Sequence, residues 1–191
     1  MADDLERARR GDGRAFESIA RAHERALYAH VARIVGPGPD AEDLVQDAFV
    51  SAWRGLSSFQ ALGTNSFRAW LFRIATNRAI DLIRARRRRG ELPLEPDDDD
   101  DAGWAEPASP LPDPVDVAAG SEAVAAVRLA LAAVPAEQRA ALLLRDVEGF
   151  SYEEIATITS VEIGTVKSRI HRARLAVRNT LVGRGWRGSA G

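Results

Sequence analysis

Cysteine is absent from the 191 residues. Its absence excludes a disulfide framework, a thiolate metal site and cysteine redox chemistry within the chain, and it fits a reducing cytoplasm. No apolar run approaches the ~18 residues that a membrane span requires. The N-terminal "MADDLERARRGDGRAF" carries no apolar segment either, so the expectation is a protein neither secreted nor membrane-embedded. Also missing are alternating β-branched patterns, a glycine-rich phosphate loop, zinc-ligand spacing and a strand-borne nucleophile. Those gaps argue against an enzyme, and no catalytic residue is expected. His23 and His30 have no carboxylate constellation nearby and read as surface or packing residues, so neither a metal nor a cofactor is expected.

What the chain does have is segregated charge beneath a net charge of −2. Phe67 to Arg89 holds eight arginines against Asp81 alone, and Gly164 to Arg187 holds one lysine and six arginines with no acid. Between them, residues 91–122 hold eleven acids and no base. Two basic segments separated by an acidic one predict two discrete contact surfaces rather than a general nucleic-acid coat. The acidic stretch contains six of the nine prolines, including the run Asp97 to Asp101. Mutual repulsion and proline deny it helix and sheet, so it reads as a linker, and the boundaries fall at 1–90, 91–120 and 121–184, with 185–191 as a tail.

Elsewhere apolar residues recur at three and four, which predicts an all-α protein of two small helical domains. In the first domain, helices are expected near 4–9, 12–35, 40–56 and 66–87. "GPGP" at 36–39 separates the second from the third, and Asp40 is expected to cap the third. That helix groups Leu44, Val45, Ala48, Phe49, Ala52, Trp53 and Leu56 on one stripe. Asp43, Gln46, Asp47 and Val50 are left on other faces, which the spacing alone reads as a solvated surface. The helix at 66–87 has two apolar sides and one polar stripe of Arg73, Asn77 and Arg84 beside Trp70. Guanidinium groups, an amide and flanking rings suit unpaired bases, although plain packing accounts for the same pattern.

In the second domain, Ser121 is expected to cap a helix, Pro135 to open another, and "SYEE" at 151–154 to form a capping box. A brief "VEI" connection then leads into "GTVKSRIHRAR". The apolar side of this last helix carries Ile163, Val166, Ile170, Ala173 and Val177. Its opposite side carries Thr165, Ser168 and Arg172, with Lys167, Arg169 and His171 at the edges. The order and lengths fit a helix-turn-helix whose second helix enters a major groove. A solvated or membrane-facing basic helix is the rival reading.

Three blocks, "DAEDLVQDAFVSAWRGLSSF", "SFRAWLFRIATNRAIDLIRARRRR" and "VPAEQRAALLLRDVEGFSYEEIATITSVEIGTVKSRIHRARLAVRNTL", stand in this order around the linker. Together they resemble the successive signatures of extracytoplasmic-function (ECF) sigma factors of bacterial RNA polymerase. The resemblance implies a region 2 domain for the polymerase clamp and minus-ten element, and a region 4 domain for the flap and minus-thirty-five element. By motif position, Asp43, Gln46 and Asp47 match the clamp-facing surface. Asn77 matches the position that reads a flipped minus-ten base. Phe59 and Gln60 open the loop to Ser66 that walls the base pocket, and Arg73 and Arg84 accompany Asn77. Lys167, Ser168, His171 and Arg172 match recognition-helix positions, joined on the same helix by Thr165, Arg169 and Arg174.

The implied partners are core RNA polymerase, promoter DNA as duplex and single strand, and an anti-sigma factor. The loop "QALGTNSF" departs from the short arginine-glycine-serine-like turn of many relatives, which leaves the extruded base open. A conventional activator would account for the basic helix but not for the first two blocks.

Overall fold

The computed structural model describes residues 2–59, 66–92 and 121–184. The loop with Gln60, the acid run Asp97–Asp101 and the tail at 185–191 lie outside the described residues, as does the capping side chain of Ser121. Among the described residues every regular element is helical. They are α1 (Ala2–Arg9), α2 (Gly13–Val35), α3 (Pro39–Gly55), a 3₁₀ turn (Leu56–Ser58), α4 (Phe67–Arg88), α5 (Ser121–Ala132), α6 (Ala136–Asp146), α7 (Tyr152–Thr159) and α8 (Ile163–Gly183). The chain divides into two compact units that change over near Ala85, and each has its own core.

In the first unit, Asp12 ends one helix and starts the next. Its Oδ1 accepts from the backbone N–H groups of Arg14 (3.0 Å) and Ala15 (3.1 Å), satisfying donors that the first turn of α2 leaves unpaired. Its Oδ2 accepts from Arg7 Nη2 at 2.7 Å, which ties α1 to the start of α2. α3 begins one residue earlier than expected, with Gly38 at the cap and Pro39 in the first turn. Asp40 is therefore not the N-cap. It lies inside the first turn with Glu42, where both carboxylates face the positive end of the helix. Gly38, at φ 131°, takes a backbone geometry that a side chain would resist, which is why glycine rather than aspartate sits there.

α3 turns Ala41, Val45, Ala48 and Ala52 into the core, and these short side chains let α2 lie close against it. α4 buries Phe67, Leu71, Phe72, Ala75, Thr76, Ala79, Ile80 and Ile83, as its two apolar sides predict for a central helix. Across from Thr76 lies His30 of α2, fully buried, with Nε2 2.9 Å from Thr76 Oγ1 and its ring 5.2 Å from Phe72. Burial, reinforced by the charges of Arg33 and Arg68, lowers this imidazole to a pKa of about 3, so it is neutral.

In the second unit, α6 is nearly all inside, with Ala136 and Gln138 through Leu144 buried. Pro135 is its cap rather than its first helical residue. α8 packs on α5 and α6 through Val166, Ile170, Ala173 and Val177. Ile163 was expected on that stripe but is exposed, because it is the first helical residue and projects before the packed turn begins.

Candidate functional site

The capping box at the start of α7 is complete. Ser151 Oγ accepts from Glu154 N–H at 3.2 Å, and Glu154 Oε2 accepts from Ser151 N–H at 2.8 Å. α7 closes on Ser160, whose left-handed backbone (φ 57°, ψ 41°) turns the chain, and α8 follows after Glu162. The connection is thus Ser160 to Glu162, shifted one residue from the expected "VEI". It delivers α8 with its apolar stripe inward and Thr165, Lys167, Ser168, Arg169, His171 and Arg172 half-exposed.

Hydrogen bonds order this surface. Ser168 Oγ donates to the Thr165 carbonyl at 3.0 Å and accepts from Arg172 Nη2 at 3.2 Å, so the guanidinium is held along the helix rather than left to wander. At its upper edge, the Tyr152 ring lies 4.7 Å from the Arg145 guanidinium and 5.7 Å from Lys167 Nζ. Arg145 also donates to the Phe150 carbonyl at 2.9 Å. Tyr152 therefore orients cations as well as packing.

Arg174 is a correction. Its Nη2 and Nε donate to the two carboxylate oxygens of Asp146 on α6, at 2.6 and 3.0 Å, and only 14% and 5% of the two side chains is exposed. The sequence groups it with the residues of the same helix expected to contact DNA, but a forked carboxylate turns this arginine inward. It fastens α8 to α6.

On α4, Arg73 and Arg84 are exposed and Asn77 is half-exposed, so the polar stripe exists as read. Arg84 Nη1 lies 3.8 Å from Asp81 Oδ1. Beside the stripe, Trp70 stacks on Phe59 at 4.8 Å between ring centres, and Phe67 meets both rings near edge-on. Phe59 is the second correction. It is only 4% exposed, so its ring supports Trp70 from beneath and presents no face to a nucleic acid. Gly55 closes the cluster from the other side, since a Cβ there would come within 3.1 Å of the indole.

Asp43, Gln46 and Asp47 project from α3 and are exposed. Asp47 Oδ2 accepts from Arg78 Nη1 at 3.2 Å, and Arg78 Nη2 donates to Ser51 Oγ at 2.6 Å. Next to this face runs a groove of about 1040 Å³ lined by residues including Phe16, Tyr28, Val45, Gln46, Phe49 and Trp53. The periodicity placed Phe49 and Trp53 in the core. In the structure Trp53 is 37% exposed against Phe16, and the groove passed unnoticed because an apolar stripe does not reveal how much of it a neighbour covers. Arg78 was likewise missed, lying one position off the stripe.

Two units whose described elements are all helical, one with a basic helix-turn-helix and one with an aromatic-flanked polar stripe, have the form of a nucleic-acid-binding protein. Residues 19–89 match the Sigma-70 region 2 family and residues 125–177 the Sigma-70 region 4 family. The chain is 38% identical over 183 residues to the RNA polymerase sigma-H factor of Pseudomonas aeruginosa, covering 93% of this chain and 91% of that protein. It is 36% identical over 181 residues to the ECF RNA polymerase sigma-E factor of Escherichia coli K12, covering 92% and 91%. Among solved structures it is similar to the sigma factor RpoE in complex with the anti-sigma factor NepR from Bartonella quintana. That match has a TM-score of 0.65 and 32% identity, over 87% of this chain and 96% of that one. The chain belongs to the ECF RNA polymerase sigma factors. By family these are DNA-binding transcription initiation factors, not enzymes. No helix among the described residues is long and apolar enough to cross a membrane.

Proposed function

We propose that residues 1–90 dock the polymerase clamp and capture the minus-ten strand, that 91–120 span the two promoter elements, and that 121–184 read the minus-thirty-five element. The observation that carries this reading is the ordered basic face of α8, with Ser168 and Arg172 hydrogen-bonded to each other at 3.2 Å. A preorganised guanidinium suits bidentate contact with guanine, and Lys167, Arg169, His171 and Thr165 flank it for phosphates and neighbouring bases. In the first domain Asn77 reads the extruded base, with Arg73 and Arg84 on its phosphates and Trp70, seated on Phe59, as the stacking platform. Asp43, Gln46 and Asp47 meet the clamp, and the apolar groove beside them enlarges that seat. Melting is then non-enzymatic, its cost offset by base capture and polymerase contacts.

About thirty linker residues reach roughly 100 Å when extended, against about 70 Å for two duplex turns, so one chain can hold both elements. An anti-sigma factor, as in the Bartonella complex, is the proposed antagonist, and the cytoplasm is the proposed site of action. The test is promoter opening by permanganate footprinting with core polymerase, alongside transcript mapping after induced expression. Binding of duplex promoter by the chain alone, with no dependence on polymerase, would favour an activator instead.

A further inference from the structure

Arg78 stands between the two surfaces of the first unit. It follows Asn77 on α4, about 100° round the helix from the stripe, and its guanidinium reaches across to α3. There it takes Asp47 with one nitrogen and Ser51 with the other, at 3.2 and 2.6 Å. Asp47 and Ser51 are four apart, so both acceptors lie on one side of α3. The pair is open to water, with 39% of the arginine side chain and 63% of the aspartate exposed. An ion pair so exposed is weak. It holds the arginine in place when nothing competes, and yields when something does.

We propose that Arg78 is a further contact for the unpaired promoter strand, masked by Asp47 in the free chain and released when polymerase engages Asp47. This rests on the docking role proposed for Asp47. A cationic group arriving on that carboxylate takes over its charge and removes the electrostatic hold on Arg78. The freed guanidinium, on a flexible stem beside the stripe of Arg73, Asn77 and Arg84, turns to a strand phosphate. Polymerase docking and strand capture then become linked through one side chain, and the free chain is kept from binding single strands wastefully.

The probe is a short labelled oligothymidylate, titrated with the full chain and with reconstituted holoenzyme over a range of salt. In the free chain, Asp47→Asn should raise affinity about three-fold at low salt. It should also steepen the slope of log affinity against log salt by about 0.7, the value for one added phosphate contact on a single strand. Adding Arg78→Ala should abolish both changes. A gain that persists in the double variant would be a general charge effect and would overturn the proposal.

In holoenzyme, Arg78→Ala should flatten the salt slope by the same amount while Arg78→Lys preserves it. A merely structural arginine would leave the slope unmoved, and equal slopes in wild type and Arg78→Ala would reject the contact. Core polymerase affinity of Asp47→Asn is measured in parallel. If it is unchanged, the docking role of Asp47 fails and the trigger with it, an outcome distinct from failure at Arg78.

Discussion

Arg174 and Asp146 lie 28 residues apart in sequence and meet in a forked ion pair at 2.6 and 3.0 Å, with 14% and 5% of their side chains exposed. Removing one partner leaves the other charge in a largely covered site. Arg174→Ala should therefore cost about 3 kcal/mol of stability, read as a lowered urea midpoint of the second unit. Arg174→Lys should lose much of the same, since an ammonium cannot fork. The double replacement with Asp146→Ala should cost less than the sum of the singles. An Arg174→Ala variant of unaltered stability with uniformly weaker DNA binding would return this residue to the groove.

Arg172 should behave in the opposite way. It is half-exposed and braced by Ser168 at 3.2 Å, so Arg172→Ala should leave stability within about 0.5 kcal/mol. Its cost should fall on DNA affinity, about 1 to 3 kcal/mol, with preference relaxed at one base pair of the upstream element. Selection of bound sequences by wild type and variant holoenzyme checks both. An intact minus-thirty-five preference would reject the assignment.

Asn77→Ala should leave core polymerase binding intact while reducing opening or changing the preferred minus-ten base. Permanganate reactivity across a set of promoters with each minus-ten position varied is the measurement. Unchanged opening together with unchanged preference at every position would remove Asn77 from the site.

His30 gives a pH dependence with a definite sign. Its folded pKa of about 3 lies below the ordinary 6.5. Between these values the unfolded chain binds a proton that the folded chain does not. Stability is complete above pH 6.5 and falls as pH drops, with a slope approaching 1.4 kcal/mol per pH unit from this group. His30→Gln keeps a hydrogen-bonding group for Thr76 and removes the titration. Its unfolding free energy should change less between about pH 7 and pH 5 than that of the wild type. Parallel losses in the two proteins would show that His30 contributes nothing to acid sensitivity.

The sequence by itself determined the elements and the faces. Periodicity marked the central role of α4, since a helix apolar on two sides must be enclosed. Glycine and proline marked the break before α3, and "SYEE" fixed the start of α7, because these signals act within one turn of chain. The basic face of α8 was legible for the same reason. Tertiary structure alone decided which charged and aromatic residues on those faces remain available. Arg174 and Arg172 look alike in the sequence, yet Asp146 draws one inward and Ser168 steadies the other outward. Phe59 became a support because Trp70 stacks on it, Trp53 became a groove wall because Phe16 lies against it and still leaves it exposed, and Arg78 found Asp47 across two helices. Apart from the Ser168–Arg172 contact, which is local to α8, each outcome depends on a partner in another element, and helical spacing carries no information about what a neighbouring helix brings.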